Sequence, residues 1–369
     1  MRLLDRHIFT ELIGPFLFGV AAFTSLMFAG KELFKITELV AEYHVPLVKA
    51  AELMILHVPS LVVITLPMAM LLAALLGFGR LSSDSEVVAL FASGISLYRI
   101  ALPVIAMSVV VTALSFTLNE IVVPKTNSKH QQMLSDLKGQ PMSTDKPHSW
   151  FDAENAEMKT IYSVGGYDAS TRTLRDVTVT QFRHNKPLAL VYGKEAVWQG
   201  GNEWSFKDGY WKSLEAPKHG PTAEHTVTVL FQGSQTRNED INKTPDQLAL
   251  YQKKYDELSF SELREYIRMR QSEGATVNED RVRLYQKIAL PLASLVFALI
   301  GTPLGLRPHR SSSAMGLGLA IVIIFAYWIL MHYMTILGNN GAVSPATASF
   351  APTLAGICAG IALIVRAAK

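Results

Sequence analysis

Cysteine is nearly missing from this chain, and charge is missing from long stretches of it. The single cysteine, Cys358, excludes an intramolecular disulfide and any cysteine-based metal centre. No HExxH, GxSxG or paired metal-ligand spacing occurs, so hydrolytic and metal chemistry have no recognisable motif here. A GxxxxGKS or GxxxxGKT loop is also missing, so the chain has no P-loop of its own to hold ATP. The net charge of +3 is too small to suggest nucleic acid, and no basic patch interleaves with aromatic residues. Charged residues make up only 18% of the chain, against about 25% in soluble proteins. Leu53 to Gly79 and Ile100 to Asn119 contain no Asp, Glu, Lys or Arg at all. That balance belongs to a membrane protein.

What is present is a set of apolar runs long enough to cross a bilayer. Six candidates lie at roughly 12–30, 53–79, 100–122, 288–306, 314–337 and 346–365, each near the length that a spanning helix needs. The first is too long for the apolar region of a signal peptide, and "MFAGKELF" offers no small-x-small cleavage site, so it reads as a retained helix. Arg2 and Arg6 precede the first run, and Arg80 and Arg99 flank the second loop. Arg307 and Arg310 follow the fourth run, and Arg366 and Lys369 follow the sixth. By the positive-inside rule both termini and the segment Gly79 to Ser96 are cytoplasmic. The 31–49 segment, with three Lys against three Glu, is ambiguous. The long 123–282 segment is exempt from the rule by its length, and the topology puts it outside.

The layout is therefore three spans with a cytoplasmic helix near 83–94 (1–122), a β domain (123–257), a connecting helix (258–282) and three further spans (283–369). "MKTIYSVGGY", "LRDVTVTQF" and "EHTVTVLF" are rich in β-branched and aromatic residues, with "QGGNEW" and "KDGY" as hairpin signals. Regular short strands of this kind predict an antiparallel sandwich or jelly roll. The interior face of such a domain would bring together Ile161, Val164, Val177, Val179, Val191 and Val197. An ordinary closed core fits these residues as well as an apolar trough does. Ser259 and Glu262 have capping-box spacing at the start of the connecting helix.

Few residues in or near the spans are ionisable. His57 and His332 lie inside runs, where an ionisable group is a functional candidate but more often a hydrogen-bonding residue facing the bundle. The near absence of intramembrane carboxylates argues against a proton- or sodium-driven carrier. Lys31 and Lys35 are four apart where the first span ends, and so share a helix face. Arg283 and Lys287 repeat that spacing where the fourth span begins, with Arg281 one turn back from Tyr285. All five lie on the rim opposite to the one that positive-inside favours. Each alone reads as a snorkelling or salt-bridged residue, with Glu32 and Glu38 available to neutralise the first pair. On the other side, "GRLSSDSEVVALFASGIS" separates two charge-free runs. Ser83 and Glu86 have S-x-x-E spacing, Gly94 suits a C-terminal cap, and Val87, Leu90 and Phe91 form a small apolar face. A capped linker helix and a docking helix for a cytoplasmic partner both fit.

The stretches 66–104, "LPMAMLLAALLGFGRLSSDSEVVALFASGISLYRIALPV", and 284–306, "LYQKIALPLASLVFALIGTPLGL", with "DRHIFTELIGPFLFG" before them, resemble the LptF/LptG family of lipopolysaccharide export permeases. The resemblance runs through the whole chain in order. It implies a six-helix membrane protein with an inserted periplasmic β-jellyroll domain, located in the bacterial inner membrane. It further implies pairing with a second LptF/LptG-type permease and with a dimer of the LptB-type ATPase, which uses the ATP. Lipopolysaccharide would pass to LptC- and LptA-type jellyroll proteins. No cofactor is expected on this chain, and it is not expected to be an enzyme. Glu86 matches the family glutamate that docks the ATPase, which makes 83–94 the coupling helix. Phe91 stands where the family is often polar or basic. A bis-phosphorylated lipid A would match the five rim cations, and acyl chains would match the β-domain trough. An alternative is a membrane-anchored envelope assembly protein that binds a lipid or partner through its β domain without transport.

Overall fold

The computed structural model describes residues 3–138, 148–153, 158–168, 171–184, 186–214, 228–241, 243–306 and 313–368. The elements run α1 (Leu3–Ala41), α2 (Leu47–Ser83), α3 (Glu86–Ala92), α4 (Leu97–Thr117), a π-helical turn (Leu118–Val122) and α5 (Val123–Lys138). Six strands follow: β1 (His148–Ala153), β2 (Met158–Asp168), β3 (Thr173–Arg183), β4 (Lys186–Gly200), β5 (Glu203–Ser213) and β6 (Thr228–Asp240). The chain then makes α6 (Pro245–Gln252), a 3-10 turn (Tyr255–Glu257), α7 (Phe260–Ser272), α8 (Asn278–Gly305), α9 (Ser313–Asn339) and α10 (Pro345–Ala367).

Two compact units result. One comprises 1–133, 255–264 and 276–369; the other comprises 134–254 and 265–275. The expectation placed the start of the β domain at 123. Helix instead continues through that point to Lys138, and the first strand begins at His148. Helix α1 likewise extends past the expected end of its span to Ala41, so most of the segment read as a loop at 31–49 is helical.

In the first unit, six helices are long and apolar enough to cross a membrane. They are not equivalent. Of the most apolar stretch of α2, 83% is buried inside the chain, against 17% for α1 and 22% for α9. A helix that is apolar on every side belongs at the centre of a bundle, and α2 with α8 forms that centre. Gly301 and Gly305 of α8 let the two backbones approach, since a Cβ on Gly305 would lie 2.8 Å from the carbonyl oxygen of Ala74. Small residues take this place in membrane helix pairs because backbone proximity gives the best dispersion contact.

In the second unit the strands form one antiparallel sheet in the order β1-β2-β3-β4-β5-β6. The all-β domain is thus present, and among the described residues each strand pairs with its sequence neighbours. The "QGGNEW" signal is a hairpin between β4 and β5, with Gly201 at φ +57. "KDGY" is not a turn. It lies inside β5 as a bulge where the register to β6 shifts, with Asp208 at φ 50. Gly209 is required there, because a Cβ would meet the Tyr192 carbonyl oxygen at 1.9 Å.

The pairs Val164↔Val177 and Val179↔Val191 carry four of the six trough candidates onto one face. They join Trp150, Leu174, Trp204 and Phe206 in a buried cluster. Ile161 and Val197 do not belong with them. Ile161 pairs with Thr180, one residue out of phase with the buried Tyr162↔Val179 pair. Val197 lies next to the buried Ala196 and so points to the opposite face.

Helix α6, with a capping box between Thr244 and Gln247, has no counterpart in the sequence reading. It helps to bury Lys243. The Lys243 ammonium sits 4.4 Å from the Trp150 ring centre and 3.9 Å from that of Tyr251, and it pairs with Glu273. The Tyr251 hydroxyl donates to the same carboxylate. Burial first, and then that hydrogen bond, push the Tyr251 phenol well up, so it stays a donor at any ordinary pH.

Candidate functional site

The first unit carries two groups of functional candidates, at opposite ends of its helices. At one end, α2 does not stop where S-x-x-E spacing placed the cap. Ser83 is still in its last turn and donates to the Arg80 carbonyl at 3.0 Å. The chain turns at Ser85, which has φ 63, and Glu86 becomes the first residue of α3. The expected capping box is therefore not formed. The C-terminal expectation holds: Gly94 has φ 79, and the Gly94 and Ile95 amides donate to Phe91 and Leu90 at 2.9 and 3.1 Å. That closure leaves a helix of 7 residues, shorter than the sequence spacing predicts.

The faces of α3 divide sharply. Val87 is 2% exposed and faces inward, in one cluster with Ile8, Leu12, Phe78, Leu81 and Leu97. It anchors the helix and offers nothing to a partner. Leu90 is partly buried against the same cluster. Val88 and Phe91, 60% and 45% exposed, form the outward apolar face. Glu86 stands at the edge between these faces, with its Oε2 2.8 Å from His7 Nε2. Nothing in the local sequence pointed to His7, which is 79 residues away.

At the other end is a cleft of ≈ 290 Å³. Its walls come from α2, α8, α9, the π-turn, α5 and the 255–263 segment. Val63, Ile64, Met68, Leu290 and Phe297 make it apolar below, while His57, Asn119, Asn127, Arg283, Gln286 and Lys287 make it polar at the mouth. Hydrogen bonds hold the mouth together. Ser60 donates to Asn127 at 2.8 Å, and Asn127 donates to the Asp256 carbonyl at 3.0 Å. The Glu120 carboxylate in the π-turn accepts the Phe260 amide at 2.7 Å and so caps α7 from outside. Within α7 the expected Ser259–Glu262 capping box is formed, with bonds of 2.8 and 3.2 Å. Tyr255 donates to the buried Asp280 at 2.5 Å. A π-turn inside a helix is a frequent mark of a functional site, and here it brings Asn119 into the cleft lining and Glu120 against the Phe260 amide.

Of the five rim cations, two line this cleft. Arg283 pairs with Glu279 at 2.9 Å and lies over the Tyr255 ring at 4.5 Å. Lys287, one turn deeper, is half-buried in the cleft lining. Arg281 does not line the cleft: two residues from Arg283, it points about 200° around the helix. Lys35 does not line it either, and pairs with Glu32 at 2.9 Å. The Lys31 side chain lies outside the described residues, although its backbone shares α1 with Lys35.

Glu32 is the residue that sequence reasoning undervalued. It is 1% exposed, and the same oxygen that accepts from Lys35 lies 3.5 Å from His57. His57, which lines the cleft, therefore links α1 to it; the His57 and His130 rings lie 5.3 Å apart. His332 is exposed on α9 and takes no part. Among the described residues, no cluster of three or more His, Cys, Asp or Glu is placed to hold a metal. The cleft can bind an amphiphile with an anionic head: apolar wall below, two cations and several amide groups above.

Comparison with known proteins agrees with this chemistry. The sequence profile of the family described as "Lipopolysaccharide export system permease LptF/LptG" matches residues 6–366. Two curated relatives are each named lipopolysaccharide export system permease protein LptG, one from Escherichia coli strain K12 and one from Escherichia coli O6:H1. Each is 29% identical over 265 residues, covering 70% of this chain and 68% of the relative.

Proposed function

Since the chain belongs to the LptF/LptG family of lipopolysaccharide export permeases, we propose that it is the membrane subunit of an ABC-type exporter whose cleft receives the lipid's anionic head. The observation that carries this reading is the cleft itself, where Arg283 and Lys287 face an apolar wall. Arg grips phosphate through parallel hydrogen bonds, and Lys adds a point charge. The orientation follows from the positive-inside rule: α3 and both termini are cytoplasmic, and the cleft mouth and the sheet face the periplasm of a bacterial inner membrane. A second LptF/LptG-type permease, here or in self-pairing, completes the path. The exposed apolar surfaces of α1 and α9 support such a partner. The lipid then moves on to LptC- and LptA-type proteins. ATP is hydrolysed by a separate LptB-type dimer that contacts α3.

Glu86→Ala tests the docking half of this reading. The His7–Glu86 pair is half-exposed on both sides, and such pairs contribute about 0–1 kcal/mol to folding. Expression and membrane insertion are therefore expected to stay normal. A charge-assisted contact with the ATPase is worth on the order of 1.5–3 kcal/mol, so copurification of the ATPase should fall by roughly tenfold or more. Wild-type copurification and ATPase rate in Glu86→Ala would remove Glu86 from the docking face.

The β-domain valines call for a different expectation. Val179 and Val191 are 2% and 4% exposed among aromatic core residues, which supports a closed core. Photocrosslinkers at these two positions should yield adducts within the protein. Glycolipid adducts in cells that make lipopolysaccharide would mean that the sheet opens as a trough during transport.

A further inference from the structure

The first turns of α1 are tied to everything that frames α3. Asp5 pairs with Arg99 at 2.6 Å, at the start of α4. His7 meets Glu86 at the start of α3, and Glu11 meets Arg80 in the last turn of α2 at 3.4 Å. Beneath these pairs, Ile8 and Leu12 of α1 are fully buried in the cluster that receives Val87 of α3. Apolar packing of this kind fixes position, because a close-packed interior transmits displacement and does not absorb it. The ion pairs add direction: they fix how the end of α1 is rotated against α3.

Along its middle α1 is exposed on its outer faces and is the least buried of the six spans. Its inner face packs closely on α2, where a Cβ on Gly19 would lie 3.1 Å from the Ala69 Cα and the Thr24 and Thr65 hydroxyls meet at 2.9 Å. Its far end carries Glu32, which touches His57 at the cleft. A rigid helix gripped at one end, free on its outer faces, seated along α2 on its inner face and in contact with the cleft at the other end can carry a displacement along its length, as a lever bearing on α2. We propose that α1 transmits movement of α3 to the cleft, with His7 as the positioning residue that joins α1 to α3 and Asp5 as the one that ties it to the start of α4, immediately after α3. Displacing α3 then slides α1 along α2 and shifts the Glu32–His57 contact. This rests on α3 being the ATPase docking helix.

The clamp makes a specific demand on its variants: docking and hydrolysis continue while lipid movement uncouples from them. The experiment uses the complete transporter, reconstituted with lipopolysaccharide, and reads lipid released per ATP hydrolysed alongside copurification of the ATPase. Asp5→Arg and Arg99→Asp should each lower that ratio by about fivefold or more, and the double swap should restore it, as expected for directly coupled partners. Asp5→Asn and Arg99→Gln, which add no reversed charge, should lower it in the same direction. His7→Ala should lower the ratio, and His7→Gln, which still donates a hydrogen bond to Glu86, should recover most of it. An unchanged ratio in the single variants overturns the lever, as does a swap that restores nothing. Loss of copurification in His7→Ala also overturns it, since His7 would then belong to the docking face. Failure of docking itself is read separately, in Glu86→Ala.

Discussion

Arg283→Glu combined with Lys287→Glu is expected to reduce lipopolysaccharide capture by on the order of 100-fold, with the basal ATPase rate and complex assembly retained. Each charge-assisted contact to a phosphate is worth about 1.5–3 kcal/mol, and every 1.4 kcal/mol is a factor of about ten. Reversing the charges adds repulsion to that loss. The two positions differ in what else they do. Arg283 is 43% exposed and pairs with Glu279 within its own helix, so folding loses little when it changes. Lys287 is half-buried and lines the same cleft as Asp256, so a glutamate there adds a half-buried carboxylate to a lining that already carries one. Lys287→Gln is therefore the companion variant, with no reversed charge near the capped α7. If the double variant captures as much lipid as wild type at matched expression, the cleft cations are structural. Substrate-stimulated ATPase activity, read in parallel, separates lost binding from lost assembly.

The second large effect concerns the packing on which the cleft depends. Gly305→Val should leave almost no folded, monodisperse protein. A Cβ at that position would meet the Ala74 carbonyl oxygen at 2.8 Å and the Leu75 Cα at 3.2 Å. Backbone atoms in the middle of α2 cannot give way without moving the whole helix. Overpacking a core commonly costs about 1–3 kcal/mol, and a valine here adds two further methyl groups to the clash. Gly301→Ala should be milder because it adds a single methyl group, although that Cβ comes to 2.7 Å from the Ala74 Cβ and 3.3 Å from the Leu71 carbonyl oxygen. Gly14→Ala and Gly318→Ala are the controls. Neither would meet anything within 4 Å, and alanine gains about 1 kcal/mol in helix propensity over glycine. Thermal stability in detergent should rank the controls at or above wild type, Gly301→Ala below, and Gly305→Val last. A wild-type melting profile for Gly305→Val would show that α2 and α8 are held by something other than close backbone approach.

The spans, the inserted strands and the Ser259–Glu262 capping box were legible in the sequence because each depends on neighbours within one turn or one strand. A charge-free run of about 20 residues spans a membrane whatever surrounds it, and a Ser three residues before a Glu caps its helix locally. Tertiary structure decided everything that depends on rotation and register. Arg283 and Lys287 reach the cleft while Arg281 does not, since α8 turns about 100° per residue and its packing on α2 chooses the side. Ile161 falls on the other face because it stands three residues from Val164 in one unbroken strand, an odd step that alternation sends to the opposite side. Val197 does so because the inward positions of β4 pass from Val191 and Gly193 to Ala196, which breaks the alternation. The sheet contains register shifts near Gln181, Trp198 and Lys207. Ser83 follows S-x-x-E spacing yet caps nothing, because α2 runs one turn further than its local signal and only a positive φ at Ser85 ends it. The contacts of Glu86 with His7 and of Glu32 with His57 join residues 79 and 25 positions apart in the chain. Helix packing sets them, and no periodicity along a single segment can encode them.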